Sequence, residues 1–160
     1  IAWDRLNISE DAKRITNFNQ VAYKKHSVDA KKVLTEFENY LYDEEYKVVG
    51  HNILGFDLYI HGIFRRNLGM AADYSYLNRC IDTLSLAKAI KKGLSLDEDV
   101  DFISWQYKLN SFFEKRLGCS IQALCKKYEI KFDPSKLHDA LYDIELNFKI
   151  FNKQLWELDI

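Results

Sequence analysis

A chain of 160 residues, 48% hydrophobic and 14% aromatic, has the make-up of one globular domain with a sizeable core, and two domains would be crowded. A formal net charge of -1 and a pI near 6.5 exclude a broad field directed at nucleic acid or membrane, so any polyanion site must be local. Three cysteines, Cys80, Cys119 and Cys125, lack metal-ligand spacing and imply a reducing, intracellular compartment, cytoplasmic or nuclear. The most apolar stretch, Ile53 to Phe64, is broken by Asp57 and His61, which excludes a bilayer span.

Ser9 is placed to cap a short helix from Glu10 to about Phe18. Ser27 is placed as a second N-cap, and the stripe Ala30, Val33, Leu34, Phe37 and Leu41 predicts an amphipathic helix over about 28–42. Tyr46 to Gly50 reads as a short buried strand. Phe56, Ile60, Phe64 and Leu68 form the next helical stripe, stopped by Gly69, with Asp57 in its first turn. Asp73 to Leu77 suggests a further short helix, and Arg79 to Asp82 a second strand. Thr83 is placed to cap the next helix, which carries Leu84, Ala87 and Ile90 before Gly93. Strand-helix-strand-helix order implies a parallel pair covered by helices.

From Leu94 to Gly118 the pattern loosens. An acidic start at Asp97, Glu98 and Asp99 and an aromatic helix over about 102–117 suggest an insertion or lid at 94–118 within a single 1–160 domain. Ser120 caps a helix bearing Ile121, Leu124, Cys125 and Tyr128. The turn at Asp133-Pro134 then leads to a final helix, running to about Leu158, whose stripe Leu141, Ile144, Phe148, Phe151 and Leu155 is expected to be its buried face.

At the head of that helix, His138 and Asp143 lie five positions apart, so they converge only if His138 sits in the loop or cap before the helix. A loop imidazole beside a fixed carboxylate suits proton abstraction next to a metal ion; the plainer alternative is a surface histidine and a solvated aspartate. Asp57 has its own plain reading, interaction with a helix dipole, and Asp82 that of helping to cap the helix at Thr83. Asp57 and His61 have i, i+4 metal-ligand spacing, a pattern usually coincidental, and His61 is expected on the helix surface. Asp97, Asp99 and Asp101 resemble a calcium loop, but Phe102 and Lys108 occupy its glycine and glutamate positions. No Gly-rich phosphate loop, Cys-x-x-Cys pair or Gly-x-Ser-x-Gly elbow is present.

Two segments carry a family resemblance. Val48-Val49-Gly50-His51-Asn52-Ile53-Leu54-Gly55-Phe56-Asp57 resembles the second motif of the DEDD 3′-to-5′ exonucleases, and His138-Asp139-Ala140-Leu141-Tyr142-Asp143 the third motif of their DEDDh, DnaQ-like branch. Cys80 to Leu84 and Ser120 to Cys125 fall where that family has similar segments. The sister branch would place tyrosine where Asp139 stands. The resemblance implies an α/β, ribonuclease-H-like exonuclease fold with a central mixed sheet flanked by helices. It also implies metal-dependent 3′-to-5′ hydrolysis of phosphodiester bonds, releasing nucleoside monophosphates. In it, Asp57 and Asp143 are ligands of two divalent metal ions, Mg2+ or Mn2+, and His138 deprotonates the attacking water. His51 and Asn52 are motif framework, not metal ligands, with Asn52 on the substrate side. The implied partners are single-stranded DNA or RNA 3′ ends, with a polymerase or other replication or repair protein.

Two features depart from the family pattern. The Asn52 to Asp57 spacing is one residue longer than is usual, and the first motif, Asp-x-Glu on an opening strand, has no counterpart, because Asp43-x-Glu45 follows two helices. The N-terminal strands of the fold are therefore expected to be absent from this sequence, which opens Ile1-Ala2-Trp3 and has methionine only at Met70. A set of about three strands is expected upstream, completing both sheet and acidic site. The competing reading is a catalytically inactive exonuclease-fold module of a larger nucleic-acid-processing assembly.

Overall fold

The computed structural model describes residues 1–3, 6–96, 99–115 and 117–158. Helices α1 (Glu10–Ile15), α2 (Gln20–His26) and α3 (Ala30–Leu41) precede strand β1 (Val48–Gly50) and helix α4 (Asp57–Asn67). A 3-10 turn (Leu77–Arg79) runs into strand β2 (Cys80–Asp82), followed by α5 (Thr83–Lys92), α6 (Phe102–Ser111) and α7 (Ile121–Lys127). A second 3-10 turn (Pro134–Lys136) leads to α8 (Ala140–Leu158). The two strands pair in parallel, with Val48 opposite Cys80 and Gly50 opposite Asp82, as the strand-helix-strand order predicts. The acidic positions Asp97 and Glu98 lie outside the described residues.

Helix α5 is the hub. Leu86, Ala87 and Ala89 are buried on it, and the small alanine side chains let neighbouring helices come close on two sides. On one side Leu86 and Ala89 join Trp105 and Leu109 of α6; on the other Ala87 joins Leu124 and Cys125 of α7 and Leu146 and Ile150 of α8. A separate cluster beneath α4 gathers Leu41, Ile53, Leu54, Leu58, Tyr76 and Cys80. The α5 helix ends where Gly93 turns left-handed (φ +63), a conformation that costs glycine little.

One edge of the small sheet is closed by a side chain. The Asp82 N–H donates to Gln106 Oε1 (2.6 Å), and Gln106 Nε2 donates to the Cys80 carbonyl (3.1 Å). The amide of Gln106 thus takes the place of a peptide in a third strand, and β2 cannot extend the sheet further. The β1 edge has no such cover among the described residues, and Phe37, Tyr40 and Tyr46 lie exposed in the groove beside Val48 and Val49.

Several expectations need correction. Helix α2 was not foreseen, and Asp29 rather than Ser27 caps α3, its side chain accepting from Lys32 N. The first strand begins at Val48, not Tyr46, because the Arg79 guanidinium donates to the carbonyls of Leu41, Asp43 and Tyr46 and holds that segment as a turn. The α4 stripe is rotated: Leu58, His61 and Gly62 face inward, whereas Phe56 and Ile60 are exposed. The largest correction concerns α8. Leu141, Ile144 and Phe148, expected in the core, are 75%, 65% and 63% exposed, while Leu146, Asn147, Ile150 and Gln154 are buried. Polar contacts set this rotation. Asn147 Oδ1 accepts from Thr83 Oγ1 (2.6 Å), and Gln154 Nε2 donates to the Thr83 carbonyl (2.9 Å).

Two measurements check this packing. Leu146→Ala should cost about 2–5 kcal/mol in urea unfolding, whereas Ile144→Ala should stay within about 0.5 kcal/mol, as at an exposed site; the reverse order would mean that α8 is turned the other way. Gln106→Ala leaves a buried N–H and C=O without partners and should cost about 2–6 kcal/mol, since each such group costs about 1–3.

Candidate functional site

The second motif begins where β1 ends. Gly50 is required there, since a Cβ on it would approach Ile53 Cβ to 2.9 Å. Asn52 follows with φ +63, and the turn closes when Gly55 N donates to the Asn52 carbonyl (3.1 Å). Asp57 stands in the first turn of α4, after a Phe56 cap residue that supplies no side-chain hydrogen bond. Its side chain is open to solvent, yet desolvation by surrounding protein is the first of the influences that push its carboxyl upward. Its own backbone N–H opposes the shift, and the charge of Asp82 adds to it.

Asp82 holds this turn from below. Fully buried, its carboxylate accepts from Asn52 N (3.0 Å), Leu54 N (3.2 Å), Leu84 N (2.9 Å), Ser85 N (3.4 Å) and Asn110 Nδ2 (2.7 Å). It is therefore itself the N-cap of α5, the place expected for Thr83, which is instead the first residue of the helix, and its oxygens are too fully engaged to bind a metal ion.

The third motif is built at the head of α8. Asp139 Oδ1 accepts from Tyr142 N (3.0 Å), capping the helix. His138 precedes it with φ +76, in the loop rather than in the helix, as the five-residue spacing requires. Its N–H donates to Asp143 Oδ2 (3.2 Å). The histidine and the aspartate therefore do meet, through the backbone, and His138 itself is exposed. A groove runs from this loop to Thr16 and Asn17 at the end of α1.

One turn after Asp143, Asn147 ties the two motifs together. It receives the Thr83 hydroxyl, and Thr83 Oγ1 lies 3.0 Å from His51 Nδ1 and 3.4 Å from the Gly50 carbonyl. Asn110 and Asn147 escaped the reading of the sequence, in which Thr83 is only a helix cap. A polar residue four positions beyond a candidate helix carboxylate, on the same face, is the signal that marks Asn147.

Asp57 and Asp143 offer carboxylate oxygens, the donor type that Mg2+ and Mn2+ take. Among the described residues, however, no group of three or more His, Cys, Asp and Glu side chains is placed to hold a metal ion, and no hydrogen bond or ion pair joins Asp57 to Asp143 or His138. The donors thus match two divalent ions in kind and fall short in number. The spacing of Asp57 and His61 has no metal-binding consequence. Contrary to expectation, His61 is buried, with Nε2 2.9 Å from Glu38 Oε1 and Nδ1 2.9 Å from Tyr76 Oη.

His51 gives the site a pH signature. Desolvation is the chief cause that lowers its pKa below the ordinary 6.5, helped by Lys88 and opposed by Asp82 and the Cys119 backbone. A histidine with a depressed folded pKa contributes stability that is complete above the unfolded value and is lost as pH falls through the folded one. The urea midpoint should therefore drop as pH is lowered below about 6.5, and His51→Gln should flatten that part of the profile. Asp57, shifted upward, acts with the opposite sign at lower pH, in the carboxylate range.

No helix among the described residues is long and apolar enough to cross a membrane. No curated protein and no solved structure gives a match to the chain. The exonuclease family profile RNase_T matches residues 4–151, a span that takes in both motifs and the strands and helices that carry them. This chain belongs to the RNase_T exonuclease family, and the family implies a ribonuclease-H-like fold.

Proposed function

We propose that this protein is a 3′-to-5′ exonuclease of the DEDDh kind, which hydrolyses the terminal phosphodiester bond of single-stranded DNA or RNA and releases nucleoside monophosphates. The observation that carries the reading is the left-handed His138 loop, bonded to Asp143 and linked through Asn147 and Thr83 to the turn that bears Asp57. Membership of the exonuclease family supports it.

In this reading His138 is the general base. Its backbone N–H is committed to Asp143, and its exposed ring is available to take a proton from water as that water attacks phosphorus. The bond to the 3′ oxygen of the preceding nucleotide then breaks, and that oxygen takes up a proton as the new 3′ end. Asn52 is the proposed substrate-side residue of the turn, and its Oδ1 accepts from Asn110 Nδ2. Asp57 and Asp143 are proposed ligands of Mg2+ or Mn2+, ions that would supply charge neutralisation at the phosphate. With two carboxylates, the described residues do not complete a two-ion site. Chain ends need few phosphate contacts, so a net charge of -1 is compatible with such a substrate. A polymerase or another replication or repair protein is the proposed partner.

A second reading rests on the lack, among the described residues, of a third carboxylate beside these two: an inactive exonuclease-fold module that binds nucleic-acid ends within a larger assembly. The two readings separate on a 3′-labelled single strand with Mg2+ or Mn2+. The exonuclease releases labelled monophosphate, Asp143→Asn abolishes the release without unfolding, and His138→Ala lowers the rate roughly 10²- to 10⁴-fold. Full turnover by a folded Asp143→Asn protein would refute the assignment, whereas binding of the strand without any release favours the inactive module.

A further inference from the structure

We propose that Asp82 and Asn110 are positioning residues of this site: through Asn52 and Leu54 they fix the turn that delivers Asp57. The inference rests on the role just proposed for Asp57. An N-cap needs only the donors of its own helix, and for α5 those are Leu84 N and Ser85 N. Asp82 accepts two further backbone N–H groups, Asn52 and Leu54, and both belong to the turn between β1 and α4. One carboxylate thus fixes the end of β2, the start of α5 and the approach to Asp57.

Asn110 supplies the second hold. Its Nδ2 donates to Asp82 Oδ2 (2.7 Å) and to Asn52 Oδ1 (3.1 Å), bridging carboxylate and turn. Asn52 sits at φ +63, a left-handed conformation that persists where surrounding contacts over-determine it. Gly55, two residues before Asp57, makes room for both amides: a Cβ there would collide with Asn52 Oδ1 and come within 2.9 Å of Asn110 Oδ1. Asn110 is itself anchored, because Lys88 Nζ donates to the carbonyls of Leu109 (3.0 Å), Asn110 (2.7 Å) and Phe112 (2.8 Å). The α4 helix has no side-chain cap of its own at Phe56, so its first turn takes its place from this bridged loop.

Asp82→Asn replaces an acceptor with a donor facing buried N–H groups and is liable to unfold the protein, so Asn110→Ala is the decisive variant. Amide hydrogen exchange and steady-state hydrolysis of a 3′-labelled single strand are measured on the full chain. In Asn110→Ala, exchange at Asn52 and Leu54 should accelerate about tenfold or more while amides in α7 and α8 keep their protection. The kcat should fall roughly 10- to 100-fold with KM little changed, as expected for a misplaced site. Leu34→Ala, which removes a buried side chain from α3, should leave kcat and those two amides as they were. Unchanged exchange at Asn52 and Leu54 overturns the inference, as does an unchanged kcat in Asn110→Ala when Asp57→Asn abolishes turnover. If Asp57→Asn itself retains full turnover, it is instead the role assigned to Asp57 that fails.

Discussion

A buried carboxylate, Asp82, held by N–H donors and by no ion pair among the described residues, dominates this fold. Removing Asp82 from water carries a large desolvation cost, and that cost is acceptable only because N–H groups converge on both of its oxygens. Those donors come from three places in the chain: the turn after β1, the first turn of α5 and the end of α6. Next to it, Thr83 extends the junction to α8 through Asn147 and Gln154. Helices α5, α6 and α8, which also share the apolar clusters around Leu86 and Ala87, are thereby held against one polar point at the C-terminal ends of two parallel strands. Both candidate motifs open from that point.

The same polar logic makes the sheet asymmetric. Gln106 satisfies the outer edge of β2 as a strand would, and it does so from a helix, so the sheet is terminated on that side. Any further strand can pair only with β1, whose open edge is flanked by exposed aromatic residues. The outward stripe of Leu141, Ile144 and Phe148 adds apolar surface that the described residues leave uncovered.

Beneath α4, a second polar cluster is walled off from the site. Glu38 receives both His61 and Arg65, Arg65 also reaches Tyr42, and His61 reaches Tyr76. The environment of Tyr42 pushes its hydroxyl up to about 12, chiefly by burial and then by the charge of Glu38. The network pins α4 to α3 and thereby sets which face of α4 turns inward. Gly62 follows from it: a Cβ there would come within 2.5 Å of Tyr74 Oη.

Local patterns were enough to show much of this. Gly93 stops α5, Ser9 and Ser120 cap their helices, and the order of β1, α4, β2 and α5 dictates parallel pairing, because these features depend on neighbours in sequence. The placement of His138 outside α8 also followed from sequence alone, since residues five apart on a helix point in different directions. What the sequence could not decide was which face of a helix is buried. Leu141, Ile144 and Phe148 make the better apolar stripe, yet α8 turns Asn147 and Gln154 inward, where Thr83, more than sixty residues earlier, bonds Asn147 Oδ1 and Gln154 Nε2, although Gln154 Oε1 stays buried without a hydrogen bond among the described residues. Likewise nothing near His61 in sequence announces Glu38, and nothing near Asp82 announces Asn110. Hydrogen-bond partners distant in the chain become neighbours only in the folded state, and tertiary structure alone selects them.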